Sequence, residues 1–555
     1  MTTATTGVSR LRGNPWAVLT LASLGYFMTL LDLTIVNIAI PNIITRLSAS
    51  LDDVLWVLNS YALVLAVLVI TCGRLGDRLG PRAMFIAGTA VFTAASAACG
   101  LAPGAGWLIA FRTVQGVGAA MLMPQTLAMV TIVFPAERRG AAFGVWGAVT
   151  ALATIAGPVL GGLLVTAFDW RWIFFINLPI GLAVLAATPA IIPQMRTGLR
   201  HRMDLRGVAL ASIALLATCY GLVEGQRYHW GTISGFLSIP LIFGTDAVFL
   251  VAFLADQARR QHGENEPLLP LELFRDRNFT LMNWTSAALS IGMLGVFLGF
   301  TIYLQSVLGY SAVKAGLTLL ASSLVSVIAA PAAGKLTDRI GGKYILLSGL
   351  VFFAAGTGWA VLVAGTGSTW VTFLPAMSLL GLGIGLVFAP LTTIAMSGVP
   401  ERLAGAASGT LNTMRQAGSV AGTAAVGALL QNRLASSLAS QATAHAATLP
   451  AAARAPFIDG FRQAAASGTF ATGSGTQPKL PAGTPPALAH ELARLAGIVC
   501  GNGYVDAMRQ TMILPVAVVA LAALTALALR NDRAAKAIRA RPHAAPPRRP
   551  ATTSA

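Results

Sequence analysis

Five ionisable side chains stand within or at the edge of long apolar runs of this 555-residue chain: Asp32, Arg112, Glu224, Asp246 and Arg415. A charge in such a run costs about 2.5–3.5 kcal/mol or more unless it is paired or hydrated, so each is a candidate site. Asp32 lies in "LDLTIVNIAIP" (Leu31–Pro41). A carboxylate lining a cavity there can take up and release a proton, or hold a cation. Arg112 cannot be deprotonated in a protein, so it reads as a fixed charge that answers the proton state of Asp32. Arg415, in "LNTMRQAG", is either a second fixed charge or the donor of an interhelical bond. Glu224 ends its apolar run and admits a proton-site or a structural reading. Asn37, five residues beyond Asp32, lies about 140° around a helix from it and so takes a separate cavity or helix-contact role. Asp246 has no assigned role.

Other chemistries find little support. The six histidines lie in connections, a tail or one long loop, and no Ser/His/Asp arrangement or metal-ligand cluster emerges. No Gly-x-x-x-x-Gly-Lys-Ser/Thr loop offers a phosphate cradle. The expectation is no catalytic residues, no metal and no cofactor. Tyr26, Phe27, Met28, Met121, Met123, Tyr303 and Phe388 could line a greasy pocket, but packing explains most such residues.

The elements that position these residues follow from composition. The chain is 55% hydrophobic and 10% charged, with a mean hydropathy of +0.71. A soluble domain carries about 25% charged residues. A membrane-spanning helix needs about 20 apolar residues. Fourteen runs meet that rule, near 16–40, 55–74, 83–101, 107–133, 141–166, 173–193, 206–224, 236–256, 279–308, 313–336, 344–363, 370–397, 404–430 and 510–530. The expected fold is all-α and integral to a membrane. The net charge of +18 sits in short connections and tails, and most of the 38 Lys and Arg fall on one side of the spans. That side is expected to be cytoplasmic, with both termini on it. The charge therefore reads as topology and lipid contact, with no nucleic-acid partner. Residues 1–15 and the basic 531–555 are tails. Residues 431–509, rich in Ala, Ser, Thr, Gly and Pro, read as a long, largely disordered external loop.

Two segments repeat. "GRLGDRLGPR" (Gly73–Arg82) and "GKLTDRIGGK" (Gly334–Lys343) share Gly, a basic residue, Leu, Asp, Arg and Gly at the same spacing, each directly after a span. The chain therefore holds two related halves, a common construction in membrane transporters. The segment suits a latch. Gly73 and Gly76 permit close helix approach. Asp77 can bind a helix N-terminus or a basic group, as can Asp338 in the second copy. Arg78, Arg82 and Arg339 can reach acidic groups or lipid phosphates, and Gly80 allows a sharp turn.

"GRLGDRLGPR" resembles the signature loop of the major facilitator superfamily, and its second copy resembles the counterpart in the C-terminal half. The second copy follows the tenth span rather than the eighth, which is similar to the fourteen-span drug:proton antiporter subfamily. "LDLTIVNIAIP", Leu108–Pro124 ("LIAFRTVQGVGAAMLMP"), Gly147–Gly162 ("GAVTALATIAGPVLGG") and Trp170–Gly181 ("WRWIFFINLPIG") resemble that group's motifs. The resemblance implies a major facilitator fold of 14 transmembrane helices: a six-helix half over 16–193, two extra helices over 206–256, and a second half from 279–430 with 510–530. It also implies an exporter hinge at Gly147, Gly157, Pro158, Gly161 and Gly162, with the glycines packing across the interface between halves.

The resulting expectation is a multidrug or antibiotic efflux transporter of the bacterial plasma membrane. It would be a monomer that exchanges protons for hydrophobic, cationic small molecules and is driven by the proton gradient. A proton taken up by Asp32 from outside would weaken cation binding and release the cargo. Export of an endogenous metabolite or lipid is the alternative, with a membrane enzyme or a non-transporting receptor further off.

Overall fold

Each apolar run winds into helix, since in hydrocarbon the backbone must satisfy its own hydrogen bonds. The computed structural model describes residues 12–47, 49, 51–194, 204–225, 228, 230–260, 267–400, 403–466 and 486–530. The tails 1–11 and 531–555 and residues 467–485 of the long loop lie outside the described residues.

The first half comprises α1 (Pro15–Leu47), α2 (Leu51–Leu79), α3 (Pro81–Gly100), α4 (Ala105–Val133) and α5 (Arg139–Ala167), with α6 (Trp172–Phe175) and α7 (Asn177–Ile191) in the sixth place. The extra pair is α8 (Leu205–Gly225) and α9 (Ile239–Arg260), joined by a two-stranded antiparallel ribbon, β1 (Thr232–Ser234) and β2 (Leu237–Ser238). The second half holds α10 (Arg277–Ser306), α11 (Ala312–Ile340), α12 (Lys343–Val363), α13 (Trp370–Ser397) and α14 (Ala404–Ala446); α15 (Ala451–Ala466) and α16 (Pro486–Thr511) intervene before α17 (Ile513–Leu527). All fourteen expected runs fall on helices. Among the described residues, eleven helical stretches are long and apolar enough to cross a membrane, and Arg206–Leu222 of α8 is a shorter apolar one.

The halves meet chiefly along two helix pairs, α5 with α11 and α2 with α14. Glycine makes both approaches possible. A Cβ on Gly73 would strike the carbonyl oxygen of Gly405 on α14, and one on Gly334 would strike that of Gly140 on α5. The extra pair is peripheral: α8 rests on α2 and α14, while Val248 and Val251 of α9 are exposed as a lipid-facing helix requires. One end of the pair is pinned by polar contacts: Gln257 donates to Asp204 at 2.8 Å, and Arg260 bridges Asp204 (3.3 Å) and Asp256 (2.7 Å).

The described parts of the expected disordered loop, 431–466 and 486–509, are largely helical. α14 runs on to Ala446, a total of 43 residues. At 1.5 Å per residue that is ~65 Å, about twice the hydrocarbon thickness, so the helix extends beyond the bundle at the end away from its N-terminus. α15 and α16 fold back on it, burying Leu434, Leu438, Phe457, Phe461, Leu495 and Val499. Gln441 donates to Asp506 at 2.7 Å across this cap. Alanine is the strongest helix former, so a composition that resembles a linker sustains helices once leucine and phenylalanine give them a face to bury.

Candidate functional site

Asp32, on α1, and Arg112, on α4, form an ion pair with both side chains fully buried. Three more helices, α2, α3 and α7, complete the cluster. Gln115, one turn after Arg112, donates to Asp32 Oδ1 at 2.9 Å and to Ser96 Oγ of α3 at 2.7 Å. Asn177, at the start of α7, donates to Asp32 Oδ1 at 3.3 Å. Arg112 donates from Nε to the Val57 carbonyl of α2 at 3.0 Å and from Nη1 to Gln115 Oε1 at 2.8 Å. Its guanidinium lies 4.3 Å from the centre of the Tyr61 ring. Arg112 Nη2 and Asn177 Oδ1 have no hydrogen-bond partner among the described residues. A buried ion pair is viable only when further hydrogen bonds satisfy both ions, and here they come from the same half of the molecule.

The expected partnership of Asp32 and Arg112 is therefore present, but Asp32 is neither lone nor exposed to a cavity. Gln115, Ser96, Asn177 and Tyr61 were missed because neutral polar residues are common in membrane helices. The i, i+3 spacing of Arg112 and Gln115 was the available signal. The side chain of Asn37 lies outside the described residues. Glu224 is buried at the end of α8, which packs on α9, α2 and α14. Asp246, on α9, keeps Oδ1 buried and without a hydrogen-bond partner among the described residues.

The two latch motifs repeat atom for atom. Asp77 accepts hydrogen bonds from the amides of Gly405 (2.7 Å) and Ala406 (2.9 Å), the first turn of α14. Asp338 accepts from Gly140 and Ala141 (2.9 Å each), the first turn of α5. Each carboxylate meets the positive end of a helix in the opposite half. Gly80 and Gly341 both adopt φ 93°, a conformation that disfavours any side chain. Arg82 departs from the expected acidic or lipid contact, and Lys343, in the same place of the second copy, makes the matching bond. Arg82 donates to the Pro189 carbonyl near the end of α7 (3.1 Å), and Lys343 donates to the Leu527 and Leu529 carbonyls after α17 (2.7 and 3.0 Å). Both cap the final helix of their own half, where unsatisfied carbonyls attract a cation. Arg78 is exposed, and Gly76 abuts the Gln125 side chain of α4.

The exporter glycines divide. A Cβ on Gly147 would lie 3.1 Å from Phe388 Cβ of α13, so this glycine does face the other half. Gly157 instead packs on Thr34 of α1 within its own half, a correction to the expected interface role: α5 turns that face inward to receive the Thr34 hydroxyl. Gly161 and Gly162 are buried, and the side chain of Pro158 lies outside the described residues.

Between the halves lies a small cavity lined by Leu127, Trp146, Ser286, Phe388, Thr392, Asn412 and Arg415, among others. Arg415 Nη2 donates to the Tyr26 hydroxyl of α1 and to Asn412 Oδ1 (3.0 Å), so it crosses from one half to the other. The Tyr26 and Trp146 rings stack at 4.7 Å, and the Arg415 guanidinium is 5.8 and 5.4 Å from their centres. Asp32 is not among the lining residues.

Two repeated halves, latched to each other at one end and enclosing a cavity above the latches, define a membrane transporter of the alternating-access type. The family model described as Major Facilitator Superfamily matches residues 22–423, and the chain belongs to that superfamily. It is 37% identical over 437 residues to the tetracenomycin C resistance and export protein of Streptomyces glaucescens, covering 78% of this chain and 79% of that one. It is 35% identical over 416 residues to the multidrug resistance protein Stp of Mycobacterium tuberculosis, covering 75% and 76%. In fold it matches a solved proton:xylose symporter with a TM-score of 0.57 at 13% identity, over 93% of this chain and 96% of that one.

Proposed function

We propose that the chain is a proton-coupled secondary exporter of hydrophobic drugs or antibiotics, working in a bacterial plasma membrane with both termini cytoplasmic. Its relatives are named for drug resistance and export, which supports the cargo class. The buried Asp32–Arg112 pair carries the coupling. Protonating Asp32 leaves Arg112 buried without its counter-ion. Removing one partner of a buried pair costs about 3–5 kcal/mol, so the protonated cluster favours any conformation that opens it to water. A proton entering from outside thereby drives the halves to exchange positions, and its loss to the cytoplasm resets the pair. One charge crossing the membrane is worth ~2.3 kcal/mol per 100 mV, which suffices for a sizeable cargo gradient without a cofactor.

The expectation of cationic cargo drew on protonation of Asp32 weakening cation binding, with direct contact between Asp32 and cargo left open. Asp32 is buried away from the cavity, so that reason falls away. Drug transport in inverted membrane vesicles under an imposed pH gradient tests the reading. Wild type should accumulate cargo when the gradient is applied, and Asp32→Asn should not. Full gradient-driven transport by Asp32→Asn would refute the coupling role.

A further inference from the structure

The cavity between the halves presents donors and no described acid to meet them. Arg415 carries a permanent charge and has five N–H donors and no acceptor. Only Nη2 is engaged, by Tyr26 and Asn412, and no carboxylate lies within ion-pair distance of Arg415 among the described residues. Trp146, a donor-only side chain 1% exposed, lines the same cavity with Nε1 unpartnered among the described residues. A half-buried cation over two rings is partly stabilised by their faces. The guanidinium fork and the indole N–H still want an acceptor, and an anionic oxygen supplies the strongest hydrogen bonds to both. Phe388 and Leu127 provide apolar surface on the remaining wall.

We propose that this cavity, once the halves move apart, selects planar aromatic cargo bearing an anionic oxygen, a carboxylate or an acidic phenol. Arg415 and Trp146 hold the oxygen, and Phe388 with the Tyr26–Trp146 stack holds the ring. The assignment rests on the exporter reading above and adds the charge of the cargo. It has an electrical consequence. With one proton entering per cycle, an anion leaving moves charge in the same direction, so an inside-negative potential speeds export. An exported cation would make the same cycle electroneutral.

Fluorescein and rhodamine 123 share a xanthene scaffold and differ in charge, which makes them suitable probes. Binding is read from Trp fluorescence of the purified full-length protein, and export from inverted vesicles carrying a pH gradient with and without a potassium–valinomycin potential. Fluorescein should bind more tightly than rhodamine 123 and be the better exported, with a rate that rises with the potential. Arg415→Gln should weaken fluorescein binding about tenfold or more, the scale of losing a charge-assisted hydrogen bond. Trp146→Phe, which keeps a ring, should weaken it several-fold. Arg415→Lys, which keeps the charge, should retain part of the binding and guards against misfolding of the Gln variant. Preference for rhodamine 123, unchanged fluorescein binding in both Arg415 variants, or failure to bind fluorescein overturns the proposal. Export of rhodamine 123 alone would leave the exporter reading intact, whereas Arg415-dependent fluorescein binding with no export of either dye would overturn that reading and spare the site.

Discussion

Asp77 and Asp338 hold equivalent places in the two repeats, and each binds two successive amides in the first turn of a helix in the opposite half. One end of the transporter is thus closed twice by the same device. A hydrogen bond to a charged group contributes about 1.5–3 kcal/mol, equivalent to roughly 10- to 150-fold in a closed-to-open ratio.

Asp77→Asn should therefore open the latch end. Ser408, fully buried on α14 with its hydroxyl donating to the Pro124 carbonyl at 2.8 Å, provides the reporter. In a background with Cys72, Cys99, Cys219 and Cys500 removed, Ser408→Cys should be alkylated at least several-fold faster once Asp77→Asn is present. Asp338→Asn should act in the same direction, and both together should exceed either. Equal alkylation rates in all four proteins would show that the carboxylates do not hold the end shut.

The close approach of the halves makes a second prediction. Gly73→Val and Gly334→Val place carbon against the Gly405 and Gly140 carbonyls, backbone that cannot swing aside. Both should lower thermal stability in detergent by several degrees and accelerate the same alkylation. Gly427→Ala on α14 is the control, because nothing lies within 4 Å of its added Cβ. That change should be neutral or stabilising by up to ~1 kcal/mol, the helix propensity difference. Matching losses at Gly427 and Gly73 would remove steric contact as the cause.

These latches were legible in the sequence because glycine and aspartate at fixed spacing, written twice, have few uses besides close approach and helix-end binding. Asp32 and Arg112 were legible because ionised groups are too costly in hydrocarbon to be incidental. Gln115, Asn177 and Ser96 were not, since a neutral polar residue can satisfy itself within its own helix. Arg415 was visible as a charge, but its contacts are Tyr26 and Trp146, which belong to the other half, and local spacing carries no record of that pairing. Gly157 misled for the same reason: which side of α5 meets α1 and which meets the second half depends on how the helix is rotated in the bundle. Residues 431–466 misled because a low-complexity composition was weighed above its regular leucines and phenylalanines.

The ion pair yields a stability cycle separable from transport. Asp32→Asn strands Arg112, and Arg112→Gln strands Asp32, so each single change should destabilise by about 3–5 kcal/mol. The double variant leaves two amides in reach of Gln115 and Asn177 and should regain much of that loss, read as thermal unfolding in detergent. It should still fail to couple transport to a pH gradient, because no carboxylate remains in the cluster. Strictly additive destabilisation would mean that the two side chains do not depend on each other.

Cargo cavity and ion pair are joined through α1. Tyr26 takes a hydrogen bond from Arg415, the Thr29 carbonyl takes one from the Tyr61 hydroxyl at 3.0 Å, and Asp32 pairs with Arg112, whose guanidinium rests on the Tyr61 ring. Successive members of the three α1 positions are three residues apart, so each lies roughly 4.5 Å further along the helix and about 60° around it, and the path turns about 120° around α1 between Tyr26 and Asp32. The Tyr61 hydroxyl is the link that can be removed while the ring stays against Arg112. Tyr61→Phe keeps the ring beneath Arg112 and removes only the bond to α1. Dye affinity at the cavity should stay within about twofold, since no cavity contact is lost, whereas the number of cargo molecules moved per proton should fall, measured as dye flux against alkalinisation in the same vesicles. Tyr61→Leu, which also removes the ring, should fall further. If both variants transport with wild-type stoichiometry, the path through α1 carries no information between the sites, and the coupling must run through the rigid exchange of the halves alone.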